Sequence, residues 1–278
     1  MYNILILLND YLIFFLLILM KFALLIPSTT HKRHWTKVEE TYLYKSLTSF
    51  SEKACKDHDY KVYVAVDVDD NIYSQQNEKN KLYSLCKNLN LNIQFYPLPD
   101  NIEKGHVTKM WNFIFDKAVR EKNEYFWITG DDINYLNHGW IEKCIEGLQK
   151  TKNIGTAGIF NGNERIITQF LVHKKHWEIF GWGYNPEIKN WGCDDHLNHL
   201  YAPEYLHIYP QYNALNVGGE PRYQIDHSYE KKLKELVEKD RETLKCWLEA
   251  NGGCCDNQIP KRRRRKGGRS RNPRKTNR

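Results

Sequence analysis

The chain has 278 residues, 41 of them Lys or Arg and 34 Asp or Glu, for a formal net charge of +7. Residues 261–278, KRRRRKGGRSRNPRKTNR, hold 11 of the basic residues and no acidic one, leaving 30 basic against 34 acidic residues elsewhere, a net of −4. A basic nucleic-acid-binding fold carries its charge on a folded face or helix and is therefore disfavoured. With 41% apolar and 13% aromatic residues, disorder is excluded outside the tail.

Residues 4–26 are strongly apolar, but Asn9-Asp10 and Lys21 interrupt them, and the longest clean run, Tyr11–Met20, has 10 residues. A spanning helix needs roughly 20, and Met1-Tyr2-Asn3 lacks the basic start of a secretory signal. Residues 1–20 read as an apolar extension or weak membrane anchor, with membrane association through 1–26. Residues 21–250 read as one domain and 251–278 as a disordered basic tail, a contact for polyanions or a solvated terminus.

Phe22–Pro27 is a first buried strand ended by Pro27 and the turn Ser28-Thr29-Thr30. Val38, Tyr42, Leu43, Leu47, Phe50 and Ala54 recur at helical spacing. Lys61–Val68 is β-branched and apolar and runs into Asp69-Asp70. Leu82, Leu85, Cys86 and Leu89 mark a second helix, Asn92–Tyr96 a strand, and Val107, Met110, Trp111, Ile114, Phe115 and Ala118 a third helix. Glu124–Thr129 is a strand followed at once by Gly130-Asp131-Asp132, and Trp140, Ile141, Cys144, Ile145 and Leu148 give the next helix. Beyond these, Ile154–Phe160 and Ile166–Val172 read as strands. A Trp/Gly-rich segment covers 177–201 and ends in a short helix, Asp194–Tyr201; a helix over 229–249 closes the body. The alternation predicts an α/β domain with a central, mostly parallel sheet flanked by helices. No dinucleotide or P-loop motif is present.

Seven scattered cysteines without C-x-x-C spacing point to reduced thiols in a cytosol-like compartment. The absence of an Asn-x-Ser/Thr sequon among 25 asparagines agrees with this. The expected location is the cytoplasm or the cytoplasmic face of a membrane.

Ligands of parallel sheets bind beyond the carboxyl ends of the strands, where Asp67, Asp69, Asp70, Asp131 and Asp132 fall. Clustered carboxylates repel one another unless a cation binds, and oxygen ligands suit Mg²⁺ or Mn²⁺ together with substrate phosphates. Gly130-Asp131-Asp132 thus suggests a metal–diphosphate site, the alternative being an Asp-rich turn. Asp194-Asp195 either cap a helix or share a cleft in which one carboxylate takes a hydroxyl proton, with Trp182 and Trp191 as faces for a sugar ring. His227 follows the Gly218-Gly219 turn and is a candidate metal ligand. The pairs His173/His176 and His196/His199 give only a weak zinc signature.

The order of these pieces resembles a nucleotide-sugar glycosyltransferase of the GT-A (Rossmann-like) fold, in the inverting, family-2-like group, over about residues 22–230. FALLIPSTT is similar to the family's opening strand. VYVAVDVDD resembles its second strand, implying base and ribose contacts from Asp67 and Asp69 or Asp70. GHVTKMWNFIFDKA resembles the segment before the metal strand, with Lys109 and Asn112 as donor contacts, and YFWITGDDI resembles the D-x-D strand. HWEIFGWGYNPEIKNWGCDDHL resembles the acceptor region ending in x-E-D, and His227 matches the C-terminal metal histidine. Two departures stand out: Thr129 replaces the first acid of D-x-D, and Asp194 replaces the Glu of x-E-D.

The resemblance implies transfer of a sugar from a UDP- or GDP-sugar to a glycan or other hydroxyl acceptor, with inversion. Asp195 is the general base and Asp194 positions the acceptor, or the two exchange roles. Asp131 and His227 hold Mn²⁺ or Mg²⁺, helped by Asp132. The competing readings are a catalytically silent GT-A-like binder of nucleotide sugar or glycan, suggested by Thr129, and a metal-dependent phosphoryl-transfer enzyme.

Overall fold

The structure, a computed structural model, describes residues 20–163 and 165–252. The apolar extension read over 1–20 lies outside the described residues except for Met20, and so does the basic tail apart from 251–252. Among the described residues no helix is long and apolar enough to cross a membrane.

Eight strands form one sheet in the order β3-β2-β1-β4-β7-β6-β8-β5. They are β1 (Lys21–Ser28), β2 (Asp59–Val66), β3 (Asn92–Pro97), β4 (Tyr125–Ile128), β5 (Ile133–Tyr135), β6 (Thr156–Phe160), β7 (Phe170–His173) and β8 (Leu206–Asn216). Pairs β1–β2, β2–β3, β1–β4 and β6–β8 are parallel, whereas β7 runs antiparallel to both neighbours and β5 antiparallel to β8. Two reversals through β7 return β6 and β8 to the direction of β1, so the carboxyl ends of β1, β2, β4, β6 and β8 share one edge.

The helices are α1 (Tyr42–Lys53), α2 (Gln76–Asn88), α3 (Val107–Arg120), α4 (Trp140–Lys150), α5 (Lys174–Phe180), α6 (Cys193–Tyr201) and α7 (Leu233–Ala250). Side chains alternate between the two faces of a strand, and β1 shows why both faces need cover. Phe22, Leu24 and Ile26 enter one core with Leu43, Leu47 and Phe50 of α1, Leu82 of α2 and Trp140 of α4. Ala23 and Leu25 enter the other with Met110, Ile114 and Phe115 of α3, Leu197 of α6 and Leu236 and Leu244 of α7. A strand apolar on both faces reads as a continuous hydrophobic run, as KFALLIPS does.

Three elements were absent from the sequence reading: β5, the seven-residue α5, and β8. The strand expected over Ile166–Val172 is confined to Phe170–His173. The five described cysteines, Cys55, Cys86, Cys144, Cys193 and Cys246, are free thiols.

Candidate active site

The shared strand edge opens into a cleft of about 690 Å³. Ser28 and Thr29 at and after the end of β1, Gly130-Asp131-Asp132 after β4, Asn161–Asn163 after β6 and the 215–225 segment at and after the end of β8 line it, with Trp191 and Asp194 at the start of α6.

Asp131 is 1% exposed. Its Oδ2 accepts from Ser28 Oγ (2.6 Å) and from Arg222 Nη1 (2.6 Å), and its Oδ1 from Arg222 Nη2 (2.5 Å). This is a two-pronged guanidinium–carboxylate pair, the geometry that favours Arg over Lys. Arg222 Nη2 also lies 3.5 Å from Asp132 Oδ2, and Nη1 donates to the Thr29 carbonyl (3.3 Å). Arg33 donates to the carbonyls of Gly218 (2.7 Å) and Glu220 (2.6 Å), clamping the loop that delivers Arg222. The Asp132 carboxylate sits between two glycines. A β-carbon on Gly218 would meet Oδ2 and one on Gly130 would fall 2.6 Å from Oδ1, so a side chain at either place requires the Asp132 carboxylate to swing away. Burial, then the neighbouring Asp131, pushes the Asp132 carboxyl up to about 6, against the pull of Arg222.

Of the β2 acids, Asp67 is buried beside the cleft residues Thr29 and Tyr223: its Oδ2 accepts from Tyr223 OH (2.6 Å) and Thr29 Oγ1 (3.2 Å). Asp70 is consumed by the fold, accepting from the amides of Thr30, Ile72 and Tyr73 and the hydroxyls of Thr29 and Thr30. Asp69 is exposed and pairs with Lys104 at 2.9 Å, which holds its carboxyl below the usual range. Lys109 is exposed on α3. Asn112 turns inward: its Oδ1 accepts from the amides of Gly183 (2.8 Å) and Tyr184 (2.9 Å), and its Nδ2 donates to the Tyr184 carbonyl (2.8 Å).

At the other side of the cleft, Gly192 in the left-handed conformation (φ 84°) starts α6. Asp194 Oδ1 accepts from the hydroxyl of the fully buried Tyr184 (2.8 Å). Burial and the adjacent Asp195 carboxylate push the Asp194 carboxyl up to about 7. Asp195 pairs with Arg165 at 2.5 Å and is not among the residues lining the cleft. Trp191 is 51% exposed and lines the cleft. Trp182 instead is half-buried and packs against the core, on Phe180 with ring centroids 4.7 Å apart and on His176 and His196.

The ligand set anticipated for a divalent ion is not assembled. Both Asp131 oxygens are taken by Arg222 and Ser28. The buried Thr129 hydroxyl faces the Gly130 carbonyl and Tyr135 OH. His227 is exposed and pairs with Glu230 at 3.0 Å. Asp132 lies beside the same guanidinium, its Oδ2 3.5 Å from Arg222 Nη2. These donors do not fit Mn²⁺ or Mg²⁺; the cation held by Asp131 is Arg222. The histidine pairs are also committed elsewhere: His176 to Tyr201 OH and the Gly183 carbonyl, His196 to Asp240.

Sequence reasoning missed Arg222, Arg33, Tyr184, Tyr223 and Arg165. The available signal was Arg222-Tyr223 directly after Gly218-Gly219-Glu220-Pro221, a basic residue and an aromatic carried on a turn.

No protein-family model and no curated protein sequence matches the chain. Among solved structures, S. aureus TarS superposes with a TM-score of 0.51 at 12% identity, over 84% of this chain and 43% of that one. This chain therefore spans less than half the length of TarS. A cytidylyltransferase from Leptospira borgpetersenii gives 0.43 at 12% identity (87% and 98% covered). The 4-diphosphocytidyl-2C-methyl-D-erythritol synthase of Anaerococcus prevotii gives 0.43 at 10% (81% and 96%). At these identities the TarS likeness is one of fold. With the sheet order it defines the domain as α/β of the GT-A, Rossmann-like class.

Proposed function

We propose that the chain is an inverting glycosyltransferase acting on a nucleoside-diphosphate sugar, with Asp194 rather than Asp195 as the general base. The observation that carries this reading is the Asp194 carboxyl, which lines the cleft, is oriented by Tyr184 OH and has its pKa pushed up to about 7. A base poised near neutrality is what proton abstraction from a hydroxyl needs. Asp195, bound to Arg165, helps position the acceptor, and the exposed Trp191 offers an apolar face to an acceptor sugar ring.

In the reaction the acceptor hydroxyl gives its proton to Asp194 as its oxygen bonds to the anomeric carbon. The bond from that carbon to the diphosphate oxygen breaks on the opposite side, inverting the centre and releasing the nucleoside diphosphate. The nucleoside lies along Asp67 and Tyr223, and the diphosphate leaves past Arg222, whose guanidinium neutralises Asp131 and so lessens the repulsion the two carboxylates would exert on it. No step is assigned to a metal in this cleft.

The test is release of nucleoside diphosphate from a UDP- and GDP-sugar panel with glycan acceptors, in EDTA and in Mn²⁺. Acceptor-dependent release in EDTA supports the reading. Release only with Mn²⁺ would restore the metal to Asp131 and Asp132, and donor binding without release would favour a silent binder.

A further inference from the structure

At the sheet edge opposite the cleft, the loop between α1 and β2 brings Cys55 and His58 against Glu142 in the first turn of α4. One ligand atom from each residue lies within 4.8 Å of the other two: the Cys55 sulfur, a His58 ring nitrogen and a Glu142 carboxylate oxygen. The His58 side chain is only 8% exposed. Neither of its ring nitrogens and neither Glu142 oxygen has a hydrogen-bond partner of ordinary geometry, although all four atoms are buried. His58 Nε2 and Glu142 Oε1 come only to 3.9 Å, too far for a hydrogen bond. Tyr60 OH, on a ring whose centroid is 6.0 Å from that of His58, is likewise buried and unpaired.

Buried polar groups are nearly always satisfied, and leaving several unpaired in one place is destabilising. Three donors of different softness converging at this spacing have a simple common partner. Thiolate, imidazole and carboxylate are the ligands of Zn²⁺, whereas Ca²⁺ and Mg²⁺ take oxygen sets without sulfur. We infer that Cys55, His58 and Glu142 form a zinc site that staples the α1–β2 loop to α4. Binding releases the Cys55 proton to solvent, because the thiolate is the ligand. Three protein ligands leave one tetrahedral position, and Asp57, whose Oδ2 lies 3.6 Å from the Cys55 sulfur, is within reach of it. The site is built from the amino-terminal side of β2, so it is remote from the cleft and its role is in stability.

The test uses the full chain purified without chelator or a metal-affinity step. Elemental analysis and competition against a chromophoric chelator are expected to give one zinc per chain. Cobalt replacement is expected to give a thiolate-to-cobalt charge-transfer band. Cys55→Ser and His58→Gln lose both, Asp131→Asn keeps both, and chelation lowers the wild-type Tm but not that of Cys55→Ser. If the substituted chains do not fold, the stoichiometry and cobalt spectrum of the wild type decide. A wild type that takes up no zinc when supplied with it, a cobalt complex lacking the thiolate band, or zinc lost with Asp131→Asn and retained with Cys55→Ser each overturns the inference.

Discussion

Two adjacent aspartates with the same side chain are separated by environment alone. Asp194 faces the cleft beneath Tyr184, while Asp195 is neutralised by Arg165. Asp194→Asn is expected to lower kcat about 10²–10⁴-fold, the usual yield of general-base catalysis, with donor affinity retained in calorimetry. Asp195→Asn acts mainly on acceptor KM. Because burial raises the Asp194 carboxyl, the active, ionised base accumulates with rising pH, so wild-type kcat/KM climbs and levels off above about pH 7. A rising limb centred near pH 4 would reject this assignment. Arg222→Met leaves Asp131 buried beside no counter-charge, a loss on the order of 3–5 kcal/mol for a broken buried pair. Urea unfolding of Arg222→Met and of an Asp131→Asn/Arg222→Met double variant is the check, and the double variant is expected to recover part of the loss.

At the level of elements, α3 reaches the site only indirectly. Asn112 holds residues 183–184 through three hydrogen bonds, and Tyr184 in turn holds Asp194. Asn112→Ala is expected to cost about 1–3 kcal/mol from unsatisfied amides and to lower kcat by releasing Tyr184; thermal unfolding and steady-state kinetics measure both. The family resemblance of this helix implied Asn112 as a donor contact; its inward turn onto residues 183–184 depends on a loop some seventy residues away and was not legible. Most elements were legible because their apolar period is clean, as in β1 or in the stripe Met110, Ile114, Phe115 and Ala118. β8 was not: LHIYPQYNALN has Pro210 in its middle and buries only Ala214 fully, so no alternation marks it. β5 has three residues and takes its place from pairing with β8. The acids at strand and helix ends were found for the same local reason. Arg222 escaped because its partner Asp131 lies 91 residues away, a separation only the folded loop can close.

Across the whole molecule, titrating groups of opposite effect oppose one another. Burial, helped by Lys174 and Lys175 at His173, lowers His173 and His176 to about 4, below the ordinary 6.5. The unfolded chain then binds more protons, so this stability is present above pH 6.5 and is lost as pH falls towards 4. Asp132 and Asp194, raised to about 6 and about 7, act in reverse, and their neutral forms favour folding until pH rises through those values. Wild-type stability is therefore expected to vary little between about pH 4.5 and 6. An Asp132→Asn/Asp194→Asn variant is expected to lose stability steadily as pH falls from about 6 to about 4.5, by at most about 1.4 kcal/mol per pH unit for each proton. Asp194→Asn alone should exceed the wild type in Tm at pH 8 and match it near pH 4, the trade of stability for function that an active-site carboxylate implies. The proposed activity itself is tested most directly by incubating wild type and Asp194→Asn with the UDP- and GDP-sugar panel and acceptors in EDTA, and measuring free nucleoside diphosphate. Acceptor-dependent release by the wild type, reduced at least about 100-fold in Asp194→Asn, is the predicted result. Equal release by the two proteins, or none by the wild type with any donor, would contradict it.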